Sequence, residues 1–295
     1  MNERETGRAM LSLVASMVIF GTIGIFRRHI ALPSSVIAMM RGVIGTIFLL
    51  LFVRATGRRL DFAAIRRNAA KLLISGAVMG FNWILLFEAY RYTSVATATL
   101  CYYMAPIIVM LLAPVLLRER LTRRKALCML LALAGMVPVS GVLEAGFAAG
   151  EMRGVLLGLG AAALYAGVVL INKTIAGVGA YDKTIVQLFA SAAALVPYVL
   201  ATERLGAIAV SGMALAMLLV VGVVHTGLAY ALYFGSTRLL SAQTLAIVSY
   251  VDPVVAILLS ALLLGETLSP LGAAGAALVL GATLASELPE KNRHH

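Results

Sequence analysis

The sequence predicts an all-α polytopic membrane protein: ten transmembrane helices, arranged as two five-helix inverted repeats, with the N- and C-termini cytoplasmic. Three observations predict it. First, the 295 residues are 61% hydrophobic and only 13% charged, whereas a soluble domain is about a quarter charged. Second, the apolar residues fall in runs long enough to cross a bilayer, separated by short cationic gaps. Third, one half of the chain repeats the other at an offset of 147 residues. With a mean hydropathy of +0.98, a water-soluble enzyme, a disordered chain and a secreted disulfide scaffold are excluded.

The spans are read over 9–26, 34–53, 70–90, 93–117, 124–142, 154–171, 184–201, 211–234, 239–264 and 271–286. Most connections are a few residues long, so successive helices are expected to be antiparallel neighbours. The longest polar stretch, 54–71, has room only for a short amphipathic piece around Phe62 to Ile65. The first run, Ala9 to Phe26, is followed by Arg27 and Arg28 instead of a small-residue cleavage site, so it reads as a retained span and not a signal peptide. The terminal His294 and His295 have the form of a tag remnant and are set aside.

The net charge of +11 comes from cations confined to the gaps. The N-terminal side holds Arg4, Arg8, six cations in 54–71, five in 118–125, Lys173, Lys183, Arg238, Lys291 and Arg293, which makes 18. The other side holds Arg27, Arg28, Arg91, Arg153 and Arg204, and Arg41 lies within span two. This asymmetry places both termini in the cytoplasm, with an even number of helices between them. No basic stripe or recognition motif supports a nucleic-acid partner. Cys101 and Cys128 match no metal spacing and read as inert thiols.

The internal repeat pairs Arg91 with Arg238, Ser94 with Ser241, Thr97 with Thr244, Tyr103 with Tyr250, Pro106 with Pro253, Glu119 with Glu266 and Leu121 with Leu268. Apolar helices match by chance in Leu and Ala, but seldom in Arg, Tyr, Pro and Glu together. The chain therefore divides into units 1–148 and 149–295 within one membrane domain. Five helices per unit is an odd number, so the second unit enters the membrane upside down. Inverted repeats point to a secondary transporter with its substrate near the midplane.

The segments Phe87-Glu-Ala-Tyr-Arg-Tyr-Thr-Ser-Val-Ala-Thr-Ala, Met104-Ala-Pro-Ile-Ile-Val, Leu116-Leu-Arg-Glu-Arg-Leu-Thr, Thr226-Gly-Leu-Ala-Tyr, Tyr250-Val-Asp-Pro-Val-Val-Ala and Leu264-Gly-Glu-Thr-Leu resemble the EamA-type family of the drug/metabolite transporter superfamily. The resemblance covers essentially the whole chain. Within the family the chain is most similar to bacterial aromatic amino acid exporters, by general likeness around spans three and four. The resemblance implies five plus five helices, a bacterial cytoplasmic (inner) membrane location and a central cavity between the repeats.

Polar residues inside a membrane are functional candidates by default. Two readings stand for Arg41: a carboxylate contact, or a structural cation snorkelling toward the outer side. Asp252, before Pro253, reads as a coupling or amine-binding carboxylate, or as a partner for freed backbone. His225 reads as a proton relay or a neutral interhelical bond, and Glu88 as a polar gate or an ion-pair partner of Arg91. Phe81, Asn82 and Trp83 read as pocket wall, with the Asn82 amide suited to an amino acid's carboxylate and ammonium, or as packing. Tyr102, Tyr103, Tyr165, Tyr230 and Tyr250 would add an aromatic lining, opened by helix breaks at Pro106 and Pro253.

Such a lining suits neutral or aromatic amino acids; a carrier of organic cations, drugs or nucleotide sugars is the alternative. No P-loop, Gly-x-Ser-x-Gly, paired intramembrane carboxylate or zinc cluster is present, so neither an enzyme nor a cofactor or metal is expected. The expected partners are a small-molecule substrate and the lipid bilayer; a monomer suffices for this reading.

Overall fold

The computed structural model describes residues 3–27, 29–93, 98, 101–139, 143, 152–204, 206, 210–264 and 269–287. Arg28, Ser94, Thr97, Glu266, Leu268, Lys291, Arg293, His294 and His295 lie outside the described residues. The regular elements are all helices: α1 (Glu3–Arg27), α2 (Ser34–Ala55), α3 (Phe62–Arg67), α4 (Ala69–Tyr92), α5 (Ala105–Leu116), α6 (Arg123–Val139), α7 (Met152–Thr174), α8 (Ala180–Thr202), α9 (Gly212–Ser236), α10 (Ala242–Val248), α11 (Val251–Leu264) and α12 (Pro270–Glu287). Six of them, α1, α2, α4, α7, α8 and α9, contain stretches long and apolar enough to cross a bilayer.

The spans read over 93–117 and 239–264, each with a helix break expected at its proline, are both interrupted in the structure. Turns occupy Tyr103 and Met104 ahead of α5, and Ser249 and Tyr250 between α10 and α11. Proline explains the position: Pro106 has no N–H for the carbonyl of Tyr102, and Pro253 has none for that of Ser249. The 12 residues of α5 rise only about 18 Å, short of a bilayer core of about 30 Å.

Contacts at the two ends set the helix directions. At one end, Ser236 of α9 donates to the Ala9 carbonyl at 2.9 Å, and Lys71 of α4 donates to the Thr174 carbonyl of α7 at 3.0 Å. At the other end, the Arg153 guanidinium of α7 lies 4.1 Å from the ring centre of Tyr92 of α4. Thus α1 begins at the cation-rich end and α7 at the opposite one. The packing follows the same exchange: α1 lies on α9 and α11, while α7 lies on α4 and α5. The pairs α2 with α8 and α6 with α12 face each other across the two halves.

Lipid offers helices no hydrophobic drive toward one another, so close packing has to hold them together. Small residues permit it. A Cβ on Gly76 of α4 would come 2.5 Å from the Gln187 carbonyl of α8, and one on Gly222 of α9 would come 2.5 Å from Ile44 of α2. Side-chain amides add directional ties. Asn172 of α7 donates to Ser75 of α4 at 3.1 Å and accepts from Gln187 of α8 at 3.1 Å.

The short α3 is docked on the far half of the chain. Asp61 caps it by accepting from Ala64 N at 2.8 Å, and Asn68 reaches the Ala176 carbonyl at 3.3 Å. Ala64 packs with Leu72, Ile175 and Val178, while Phe62 stays 72% exposed.

Candidate functional site

A continuous aromatic cluster occupies the middle of the bundle. Phe20 of α1 meets Tyr230 of α9 at 5.0 Å between ring centres, and Tyr230 meets Trp83 of α4 at 6.0 Å and Phe234 at 5.4 Å. Phe234 meets Tyr233 at 5.4 Å, whose hydroxyl lies 3.3 Å from that of Tyr165 on α7. Tyr165 meets Tyr102 at 5.6 Å, Tyr102 meets Tyr103 at 5.9 Å, and Tyr103 meets Tyr250 at 6.1 Å. Both halves therefore contribute to one wall. Tyr102, Tyr103 and Tyr165 stay partly exposed while packed against one another, as side chains lining an internal space do.

Arg41 of α2 enters this cluster. It is 7% exposed, and its guanidinium lies 4.5 Å from the Trp83 ring centre. Its Nε donates to the Thr226 hydroxyl at 2.9 Å, and Thr226 donates onward to the Val221 carbonyl at 2.9 Å. That bond spans five residues because Val221–Leu228 is wound as a π-helix. Such π segments are frequent at functional sites. The burial and the stacking on Trp83 differ from a snorkelling cation.

Asp252, in the first turn of α11, takes a hydrogen bond from the Tyr103 side chain. Arg41, held by Thr226, and Asp252, held by Tyr103, form no ion pair with each other. Opposite charges thus each meet the aromatic cluster, Arg41 at Trp83 and Asp252 at Tyr103. His225 lies above this group: it is 1% exposed, with Nε2 2.8 Å from the Thr22 hydroxyl and the ring 4.8 Å from Phe26.

Asn82 is engaged by the protein. It donates to the Ala161 carbonyl of α7 at 2.6 Å and accepts from the Tyr102 hydroxyl at 3.4 Å. Its place is to hold α7 and orient Tyr102. Phe81 is 50% exposed and lies apart from the aromatic cluster. Glu88 also sits away from it, accepting from Arg91 at 3.1 Å and from the Tyr198 hydroxyl at 3.1 Å. Those residues line a separate cavity of about 340 Å³ at the end opposite the cation-rich one, with Ser35 and Glu203. Sequence reasoning missed Phe20, Thr226, Tyr233 and Phe234. The Tyr230–Tyr233 spacing, which puts both on one helical face, was a usable signal for Tyr233. Among the described residues no three His, Cys, Asp or Glu side chains are placed to hold a metal ion.

The fold is that of a multi-pass helical membrane transporter. The EamA-like transporter family model matches the chain twice, over residues 7–141 and 152–286, and the chain belongs to that family. It is 31% identical over 266 residues to the uncharacterized transporter YxxF of Bacillus subtilis, covering 90% of this chain and 84% of that one. It is 27% identical to an uncharacterized transporter of Archaeoglobus fulgidus, covering 92% and 94% of the two chains. Protein RarD of Salmonella typhi is 24% identical, with 90% of each chain covered. A solved crystal structure shares the fold with a TM-score of 0.83 at 20% identity, over 95% of this chain and 97% of that one.

Proposed function

We propose that the protein is a secondary transporter that exports small metabolites, foremost neutral and aromatic amino acids, across the bacterial cytoplasmic (inner) membrane. One observation carries this reading: aromatic side chains from both halves meet around Arg41 and Asp252, two opposite charges that form no ion pair with each other. A ligand with an apolar body and a charge of each sign fits that arrangement. The two halves, 1–148 and 149–295, would act as inverted units that rock about this centre and open it to each side in turn.

Two features outside the centre support alternating access. At the cation-rich end, which the positive-inside rule assigns to the cytoplasm, Glu119 accepts from Ala242 N at 3.0 Å and pairs with Lys173 at 3.6 Å. These contacts tie α10 and the end of α7 to the segment after α5, as a closed state of this end requires. At the other end lies the cavity bounded by Glu88, Arg91 and Tyr198. A second reading, an organic-cation carrier, is favoured by Asp252 beside tyrosine faces.

The test is uptake of labelled amino acids, an organic cation and a nucleotide sugar into proteoliposomes, with and without an imposed pH gradient. Saturable movement of large neutral amino acids is expected. Movement of the cation alone would overturn the substrate assignment and leave the fold standing.

A further inference from the structure

We infer that Arg41 anchors a carboxylate group of the transported molecule; this rests on the transporter reading above. Arg41 is nine-tenths buried in a segment that crosses the membrane. Among the described residues it has no acidic partner within ion-pair distance. Thr226 holds its Nε but is neutral, so the charge stays uncompensated. The Trp83 ring against it is neutral, and the nearby His225 adds no negative charge. A buried cation left this way is costly, and a carboxylate brought by a ligand removes the cost.

The geometry also says which edge of the guanidinium is free. One face is covered by Trp83 at 4.5 Å, and the Nε side is occupied by Thr226. The two terminal nitrogens remain: neither has a hydrogen-bond acceptor among the described residues, and neither is among the sealed, unpartnered buried atoms. They therefore keep some accessible surface. Two parallel N–H groups at the end of a planar fork match a carboxylate in bidentate fashion. Thr226 and Trp83 are then positioning residues that fix the fork. The class of ligand is a carboxylate with an apolar or aromatic body, and Asp252, held by Tyr103 in the same aromatic cluster, suits its ammonium.

The test is competition against labelled phenylalanine counterflow in proteoliposomes. The competitors are phenylalanine, its amide, which lacks the carboxylate, and 3-phenylpropionate, which lacks the amine. In the wild type the amide is expected to compete roughly tenfold or more weakly than phenylalanine, the worth of a charged hydrogen-bonded pair. Arg41→Gln should lose affinity for phenylalanine and phenylpropionate and leave that for the amide unchanged, so the ratio approaches one. Arg41→Lys, which keeps a buried cation but loses the fork, should give an intermediate ratio and covers the case in which Arg41→Gln does not fold. Equal competition by phenylalanine and its amide in the wild type would overturn the inference with transport intact. So would an unchanged ratio in a folded Arg41→Gln or Arg41→Lys protein. A wild type that moves no carboxylate-bearing substrate at all would overturn the amino acid substrate assignment first.

Discussion

The hydroxyl of Tyr250 donates to the main-chain carbonyl of Tyr103 at 2.9 Å, and the two residues stand 147 positions apart, the repeat offset itself. The bond answers a defect left by the turn ahead of α5. Where the helix breaks ahead of α5, Ile107 N turns to the carbonyl of Met104, and the carbonyl of Tyr103 is left for another donor. Its own repeat counterpart supplies one. Tyr103 returns the relation differently, bonding the Asp252 side chain. Tyr250 is fully buried, so Tyr250→Phe should leave that carbonyl unpartnered and cost about 1–3 kcal/mol, read as a lowered unfolding temperature in detergent. Tyr103→Phe should act on transport more than on stability, because the partner it frees is a side chain in the central cluster. A Tyr250→Phe protein as stable as the wild type would remove this account of the break.

Asn82 and Trp83 make separable predictions. Trp83 covers a guanidinium face and touches Tyr230, so Trp83→Ala should reduce transport sharply while Trp83→Phe retains much of it, since a ring still faces Arg41. Asn82→Leu leaves the Ala161 carbonyl without its donor in the bundle interior and should destabilise by about 1–3 kcal/mol, with transport falling in step. Transport and thermal unfolding measured on the same preparations distinguish the two. Wild-type transport in Trp83→Ala would displace the pocket from this cluster.

These residues also mark what the sequence could and could not reveal. Six of the apolar spans were legible because lipid imposes their length and composition directly. The breaks at Pro106 and Pro253 followed from a missing N–H. Phe81, Asn82 and Trp83 look like one wall in the chain, but successive helical residues point about 100° apart. Accordingly Asn82 and Trp83 turn inward while Phe81 is 50% exposed. Arg41 could be assigned a depth but not a partner, because Thr226 is 185 residues away and no local pattern names it. Glu119 accepts from the start of a helix 123 residues further on, which no local pattern names either.

Glycine at the α4–α8 contact gives a prediction with a built-in control. A Cβ on Gly76 would meet the Gln187 carbonyl at 2.5 Å and the Ala190 Cβ at 2.7 Å, both on rigid backbone. Gly76→Ala should therefore cost about 1–3 kcal/mol, as overpacking does. A Cβ on Gly167 of α7 would meet nothing within 4 Å. Gly167→Ala should be neutral or slightly stabilising, since alanine is the better helix former. Unfolding temperatures in one detergent compare them directly, and equal shifts for both would mean that close approach is not what Gly76 provides.

Glu119 predicts how the cation-rich end opens. Both of its oxygens accept from Ala242 N, at 3.1 and 3.0 Å, and the same carboxylate lies 3.6 Å from Lys173. Lys125 adds a further tie by donating to Ser241 at 3.1 Å. The carboxylate thus works through charge on two partners, one of them the positive start of a helix. Glu119→Gln keeps an acceptor for Ala242 N but loses the ion pair, so the closed form should be weakened without being abolished. Ala242 is fully buried, and a cysteine placed there reports the change, because it reacts with an impermeant maleimide only when this end opens. In inverted membrane vesicles the Ala242→Cys protein should label slowly and its Glu119→Gln derivative several-fold faster. Charge reversal at both positions, Glu119→Lys with Lys173→Glu, should restore slow labelling only in part, since the lysine can pair with the glutamate but cannot accept from Ala242 N. Identical rates in all three proteins would show that the Glu119 contacts do not hold the end shut.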